Sequence, residues 1–133
     1  MANEYTLTID VDASPAAAWS VVGDATAVPK WFAKYVECEV VGDIRTLRSA
    51  EGAELVERLL ERDDDVMTYA YTVIAGPPLK SHWASFTVVP RDGGSTIVWH
   101  TRAEFLDESI DTEERLAAGQ RAGLERLKAL CGG

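Results

Sequence analysis

Residues 111–130 read DTEERLAAGQRAGLERLKAL, and this stretch decides the fold. It holds no proline, and Leu116, Gly119, Gly123, Leu127 and Leu130 fall near one stripe at helical spacing. Asp111, Glu113 and Glu114 crowd its start, while Arg126 and Lys128 sit near its end, the arrangement that a helix dipole favours. The spacing predicts a long helix over 111–130. Gly119 and Gly123 each weaken such a helix by about 1 kcal/mol relative to alanine, so either a sheet or a ligand is expected to approach closely there.

Upstream, from Tyr35 to Leu106, apolar runs alternate with turn residues at Gly42-Asp43, Glu51-Gly52, Asp63-Asp64-Asp65, Gly76-Pro77-Pro78 and Asp92-Gly93-Gly94. Six strands are predicted, over 35–42, 44–50, 53–61, 66–75, 81–90 and 95–106. Their short connections imply antiparallel neighbours. Ahead of them, Tyr5, Leu7, Ile9 and Val11 alternate with Thr6, Thr8 and Asp10, the period of a half-buried strand. That strand stops at Asp12-Ala13-Ser14-Pro15, where Ser14 suits an N-cap and Pro15 the first helical position. The helix that follows turns Trp19 and Val22 inward and ends at Gly23-Asp24. A second short helix is predicted over 25–33, with Trp31 and Phe32 as its apolar contacts. The fold class is therefore α+β: a seven-stranded, curved antiparallel sheet around a long C-terminal helix, with two short helices after the first strand, in one domain over 1–133. A curved sheet cannot lie flush on a straight helix, so a pocket is expected between them.

Composition narrows the function classes. The chain has 133 residues, 47% apolar and 26% charged, with a formal net charge of −9, values of a globular domain. Such acidity argues against a nucleic-acid surface, which needs clustered Lys and Arg, and against an anionic membrane. No segment approaches the roughly 20 apolar residues that span a bilayer. The start, Met1-Ala2-Asn3-Glu4-Tyr5, lacks the basic and apolar regions of a secretory signal. Cys38 and Cys131 are the only cysteines and have no metal-ligand spacing, which suggests a reduced, cytoplasmic protein. A Gly-x-Ser-x-Gly elbow, a P-loop, a dinucleotide fingerprint and a His-rich metal pattern are all missing, so neither cofactor nor metal is expected. Asp63-Asp64-Asp65 lacks the further ligands and glycine of a calcium loop and reads as a solvated turn.

Several residues carry chemistry that a pocket could use. Glu57 alternates with Leu55 and Leu59, while Val56, Arg58 and Leu60 share the opposite face. Each face holds two apolar residues and one charge, so pattern alone leaves their direction open. Tyr69 and Tyr71 share a face with Val73, and His82 with Ala84, Phe86 and Val88. Histidine titrates near neutral pH and is the usual general acid or base. On the last strand, Ile97, Trp99, Thr101, Ala103 and Phe105 form the more apolar face and are assigned inward; a one-residue slip would put His100 there instead.

Read together, Asp12-Ala13-Ser14-Pro15 with Trp19, Gly23-Asp24, Pro29-Lys30-Trp31, Glu57-Arg58-Leu59, Asp64, Tyr69-Ala70-Tyr71, Gly76-Pro77, Ser95-Thr96-Ile97-Val98-Trp99 and Gly123-Leu124-Glu125-Arg126-Leu127-Lys128 resemble the helix-grip (SRPBCC, START-like) superfamily. That group includes bacterial polyketide cyclase/dehydrase-like proteins, START lipid-transfer domains, Bet v 1 allergens and plant abscisic acid receptors. The likeness runs nearly end to end and is specific for the fold rather than for an activity. It implies that Glu57 points into the cavity, as the matching glutamate does in the receptors, where burial would raise its pKa. It aligns His82 with a pocket tyrosine and places aromatics such as Tyr69 and Tyr71 in the wall. It also favours His100 over Trp99 as the cavity residue of the last strand, against the alternation. Ala75–Lys80 resembles the receptors' latch loop, but Ser49–Gly52 has no counterpart of their gate loop, which speaks against hormone gating.

The expected ligand contacts are Leu55, Glu57, Leu59, Tyr69, Tyr71, Val73, His82, Ala84, Phe86, Trp99, Thr101, Gly119 and Gly123. The leading function is binding of a hydrophobic small molecule, of polyketide, aromatic or lipid-like type. One alternative is a cofactor-independent polyketide cyclase/dehydratase using Glu57 or His82 as proton acceptor. Another is a regulatory interaction protein with a vestigial pocket. A bacterial source is a guess from the family likeness, and monomer and homodimer both remain open.

Overall fold

A computed structural model describes residues 3–133; Met1 and Ala2, where the sequence was read for a secretory signal, lie outside the described residues. Strand β1 (Glu4–Val11) is followed by helices α1 (Pro15–Val22) and α2 (Val28–Trp31). Six strands come next: β2 (Tyr35–Val41), β3 (Ile44–Ser49), β4 (Glu54–Asp63), β5 (Thr68–Ala75), β6 (Leu79–Arg91) and β7 (Gly94–Phe105). Helix α3 (Thr112–Leu130) ends the chain. The seven strands form one sheet in the order β1-β7-β6-β5-β4-β3-β2, with every neighbouring pair antiparallel. This is the helix-grip fold.

Local chemistry sets the element ends. The Ser14 hydroxyl accepts from the Ala17 amide at 3.2 Å and starts α1, and the Asp111 carboxylate accepts from the Glu114 amide at 3.1 Å and starts α3. Helix α2 is shorter than the predicted 25–33. Asp24 Oδ1 accepts from both the amide and the hydroxyl of Thr26, at 3.0 and 2.7 Å, and that local turn holds 25–27 out of the helix. Strand β5 begins at Thr68 rather than 66 because Met67 has a φ of 56° and makes the turn. Strand β4 runs on to Asp63, which pairs with Thr68, and β6 starts at Leu79, which pairs with Phe105.

Bulges at Tyr35/Glu37, Val56/Glu57, Leu59/Arg62 and Leu79/Ser81 bend the strands, and such bends give a sheet its curl. The concave face packs on α3, which touches β1, β7, α1 and α2. The core gathers Leu7, Val11, Trp19, Val22, Trp31, Leu47, Phe86, Val88, Ile97, Trp99, Leu124 and Leu127. The Asp12 amide donates to the Gly133 carbonyl at 2.8 Å, tying the chain's end to the end of β1. Among the described residues, no helix is long and apolar enough to cross a membrane.

The two helical glycines play different parts. A Cβ on Gly123 would lie 3.2 Å from Trp31 Cε3, so this residue lets α2 and α3 close on each other. A Cβ on Gly119 would meet only Phe32 Cζ at 3.9 Å, an ordinary contact on an exposed part of the helix. A close approach is therefore found at Gly123, though from helix α2 rather than from the sheet or a ligand as expected, and none is found at Gly119.

Candidate functional site

Between the concave sheet, α2 and α3 lies a cavity of about 150 Å³. Its walls are largely apolar or aromatic: Val28, Trp31, Phe32 and Tyr35 from α2 and the start of β2, Leu47 and Leu55 from β3 and β4, Tyr71 and Val73 from β5, Leu79 and Phe86 from β6, Trp99 and Phe105 from β7, and Leu116 from α3. Lys34 and Pro77 are the exposed members of the lining and mark the mouth. The polar groups within are Arg45, Glu57, His82 and Gln120.

Alternation on β3 turns Arg45, Leu47 and Ser49 inward. Arg45 is only 2% exposed and reaches Glu57, itself 4% exposed, across the β3–β4 ladder. Its Nε and Nη2 both donate to Glu57 Oε1, at 2.8 and 2.7 Å. Its Nη1 donates to the Ala25 carbonyl at 3.2 Å and to the Tyr69 hydroxyl at 3.4 Å. The guanidinium also lies near the rings of Tyr71 and Tyr69, at 5.1 and 5.9 Å from their centroids. Burial pushes the Glu57 carboxyl above its ordinary value, and Arg45 opposes that push. The pair is ionised at neutral pH, because a guanidinium does not release its proton and a neutral Glu57 would strand it in the interior. Both bonds from Arg45 fall on Oε1. Among the described residues no side chain donates to Oε2, which is left to the cavity that Glu57 lines.

His82 holds a specific place. Backbone pairing of β5 with β6 ends at Tyr71–Ala84, and beyond it the Val73 amide donates to His82 Nδ1 at 3.1 Å. With Nδ1 accepting, the ring proton sits on Nε2. Burial lowers the pKa to about 4, so at neutral pH the ring is uncharged. This corrects the expectation of a near-neutral titration: the ring acts as a hydrogen-bond donor, and its basic nitrogen is already engaged by the backbone.

The aromatic wall is continuous. Phe86 and Trp99 lie 4.5 Å apart between ring centroids, and Trp31 meets each edge-on at 5.5 Å. Trp99 Nε1 donates to the Tyr71 hydroxyl at 3.0 Å. Alternation on β7 thus turns Trp99 inward. His100 lies on the other face, where Nδ1 meets the Thr6 hydroxyl and Nε2 meets Glu4, each at 2.7 Å. On the α3 side, Tyr5 donates to Gln120 Oε1, and Gln120 Nε2 donates to Thr101 Oγ1 at 3.3 Å. Burial pushes the Tyr5 hydroxyl up to about 12.

Of the thirteen residues expected at the ligand, the cavity brings together Leu55, Glu57, Tyr71, Val73, His82, Phe86 and Trp99. The other six lie elsewhere. Leu59 packs against the core between the two β4 shifts, and Ala84 is buried within the core. Tyr69 is held behind Arg45, Thr101 behind Gln120, and Gly123 behind Trp31, while Gly119 is exposed on α3. Among the polar groups deep in the lining, sequence reasoning missed Arg45 and Gln120, and it also missed apolar wall residues such as Leu47, Leu79 and Leu116; the alternation of Arg45 with Leu47 and Ser49 was the available signal for the first. Asp64 Oδ1 accepts from Trp19 Nε1 at 2.9 Å and from Arg62 Nη2 at 2.8 Å, a structural role for the acidic turn. Among the described residues, no three His, Cys, Asp or Glu side chains gather as a metal site.

Comparison with known proteins gives the same picture. Residues 3–132 match the family described as polyketide cyclase / dehydrase and lipid transport. MLP-like protein 423 of Arabidopsis thaliana is 31% identical over 109 residues, covering 70% of this chain and 70% of its own. Among solved structures, the Bacillus cereus protein XoxI superposes with a TM-score of 0.87 at 21% identity, covering 98% of this chain and 95% of that one. A point mutant of a Thalictrum norcoclaurine synthase, in complex with a transition-state analogue, superposes at 0.74 with 20% identity, covering 96% of this chain and 92% of that one. At those identities the two structures speak for the fold alone. With the family match spanning nearly the whole chain, this protein belongs to the polyketide cyclase / dehydrase and lipid transport family.

Proposed function

We propose that this protein binds a hydrophobic small molecule in the cavity between its sheet and α3. The observation that carries this reading is a cavity of about 150 Å³ whose wall is mostly aromatic and aliphatic, with four polar side chains set into it. Such a surface favours an apolar guest because burying apolar area releases about 25 cal/mol per Å². The free thiols of Cys38 and Cys131 support a reducing, cytoplasmic setting.

The test is titration with a single-ring, environment-sensitive apolar dye, followed by fluorescence and by melting temperature. Binding at the cavity brightens the dye and raises the melting temperature as its concentration grows. A dye that stays dim on the folded protein at every concentration refutes the reading and leaves a vestigial pocket.

A second reading, a cyclase/dehydratase, is favoured by one observation: Glu57 lines the cavity, and its Oε2 has no side-chain partner among the described residues. In that reading Glu57 is the proton acceptor, since His82 Nδ1 already accepts from Val73.

A further inference from the structure

The cavity's polar groups are arranged selectively. Glu57 pairs with Val73 across β4 and β5, and His82 takes the amide of the same Val73 from β6. The three residues form one row across three strands, with Glu57 and His82 on opposite sides of Val73: Glu57 through the β4–β5 ladder, His82 through its ring where β5–β6 pairing has ended. All three line the cavity. One end of the row offers an acceptor, Glu57 Oε2, and the other offers a donor, His82 Nε2–H. Between them lie Val73 and the ring of Tyr71, which stands 5.5 Å from the His82 ring.

Charge and size restrict the guest further. Arg45 is committed to Glu57, Ala25 and Tyr69, and the other cation of the lining, Lys34, sits at the mouth. A carboxylate pushed inward would meet the carboxylate of Glu57 without a cation of its own, in a site where repulsion is poorly screened. The volume is about 150 Å³, roughly that of an engineered cavity known to take benzene. One ring fits; several fused rings do not.

We propose that the ligand is a neutral, single-ring molecule with a hydrogen-bond donor at one end for Glu57 and an acceptor at the other for His82, as in a hydroxyaryl ketone or amide. This rests on the cavity-binding reading above and deepens it.

The test measures displacement of the bound single-ring dye 4-(dimethylamino)benzonitrile from the full chain by a series of five compounds. These are 4-hydroxyacetophenone, acetophenone without the donor, 4-ethylphenol without the acceptor, 4-hydroxybenzoate with a charge, and three-ring anthraquinone. The expected result is that 4-hydroxyacetophenone binds about fivefold or more tightly than either one-function analogue, one hydrogen bond's worth each. The benzoate is expected at least about tenfold weaker, for the unpaired charge. His82→Phe, folded by its melting curve, erases the advantage over 4-ethylphenol and keeps the advantage over acetophenone. Equal affinity across the single-ring compounds, tighter binding of the benzoate or of anthraquinone, or dye binding that none of the five displaces would each overturn the proposal while the cavity reading stands. A dye that never binds would sink both.

Discussion

The cavity is held by two buried polar clusters, and they differ in charge. On the β3–β4 side, Arg45 and Glu57 form an ion pair with both partners under 5% exposed. On the α3 side, Tyr5, Gln120 and Thr101 form a neutral chain with every partner under 9% exposed. A neutral chain loses little when desolvated as long as its bonds are made, whereas each member of a buried ion pair depends on the other to offset a desolvation penalty of several kcal/mol. The lesson is that the charged end is a coupled unit, and the neutral end a set of separable bonds.

The largest expected effect follows from that coupling. Glu57→Leu strands Arg45 and is expected to cost about 3–5 kcal/mol in denaturant unfolding, whereas the double change Arg45→Met with Glu57→Leu returns most of the loss. Gln120→Leu, which leaves the Tyr5 and Thr101 hydroxyls without their partner, is expected to cost about 1–3 kcal/mol. If Gln120→Leu proves the costlier, or if the double variant is no better than Glu57→Leu, the contrast between the two ends is broken. Glu57→Gln is not a clean probe of catalysis, because it also removes the counter-charge of Arg45.

His82 sharpens the comparison, being a titratable group that the fold keeps neutral. Its pKa falls from 6.5 to about 4 on folding. The unfolded chain therefore takes up a proton that the folded one refuses as pH drops between those values. Stability contributed by the neutral ring is full above pH 6.5 and is lost as pH falls to about 4, by up to about 3 kcal/mol. Unfolding across this range should show a slope that His82→Phe flattens; an unchanged slope would mean that the ring is not held neutral.

The smallest effect concerns α3 beside Gln120. Gly119→Ala meets only Phe32 at 3.9 Å, so restoring helix propensity should stabilise the protein by about 1 kcal/mol. A matching gain from Gly123→Ala, whose Cβ lies 3.2 Å from Trp31, is not expected. Loss of stability at Gly119 would show that this side of the cavity is packed more tightly than the geometry indicates.

Periodicity in the sequence was enough for the element order, the antiparallel sheet and the long C-terminal helix, because period-2 and period-3.6 burial are local properties of the chain. Alternation on β7 was also enough to turn Trp99 inward, since β1 and β6 pair with that strand without a bulge near it. Residues beside a bulge were less legible. On β4 the alternation holds only from Glu57 to Leu59, which pair in step with Val73 and Tyr71, and the shifts at Val56/Glu57 and Leu59/Arg62 end it on either side. The chemistry of the site was decided only in three dimensions. Arg45 stands 12 residues from Glu57, and Gln120 is 115 residues from Tyr5, so no local pattern carries either contact. His82 was visible as a histidine on a strand, but its tautomer and its charge depend on an open ladder at Val73. Sequence sets which face of each strand is apolar; which polar groups meet there, and in which protonation state, is set by the register and curvature of the folded sheet, because both depend on the low-dielectric environment that only packing creates.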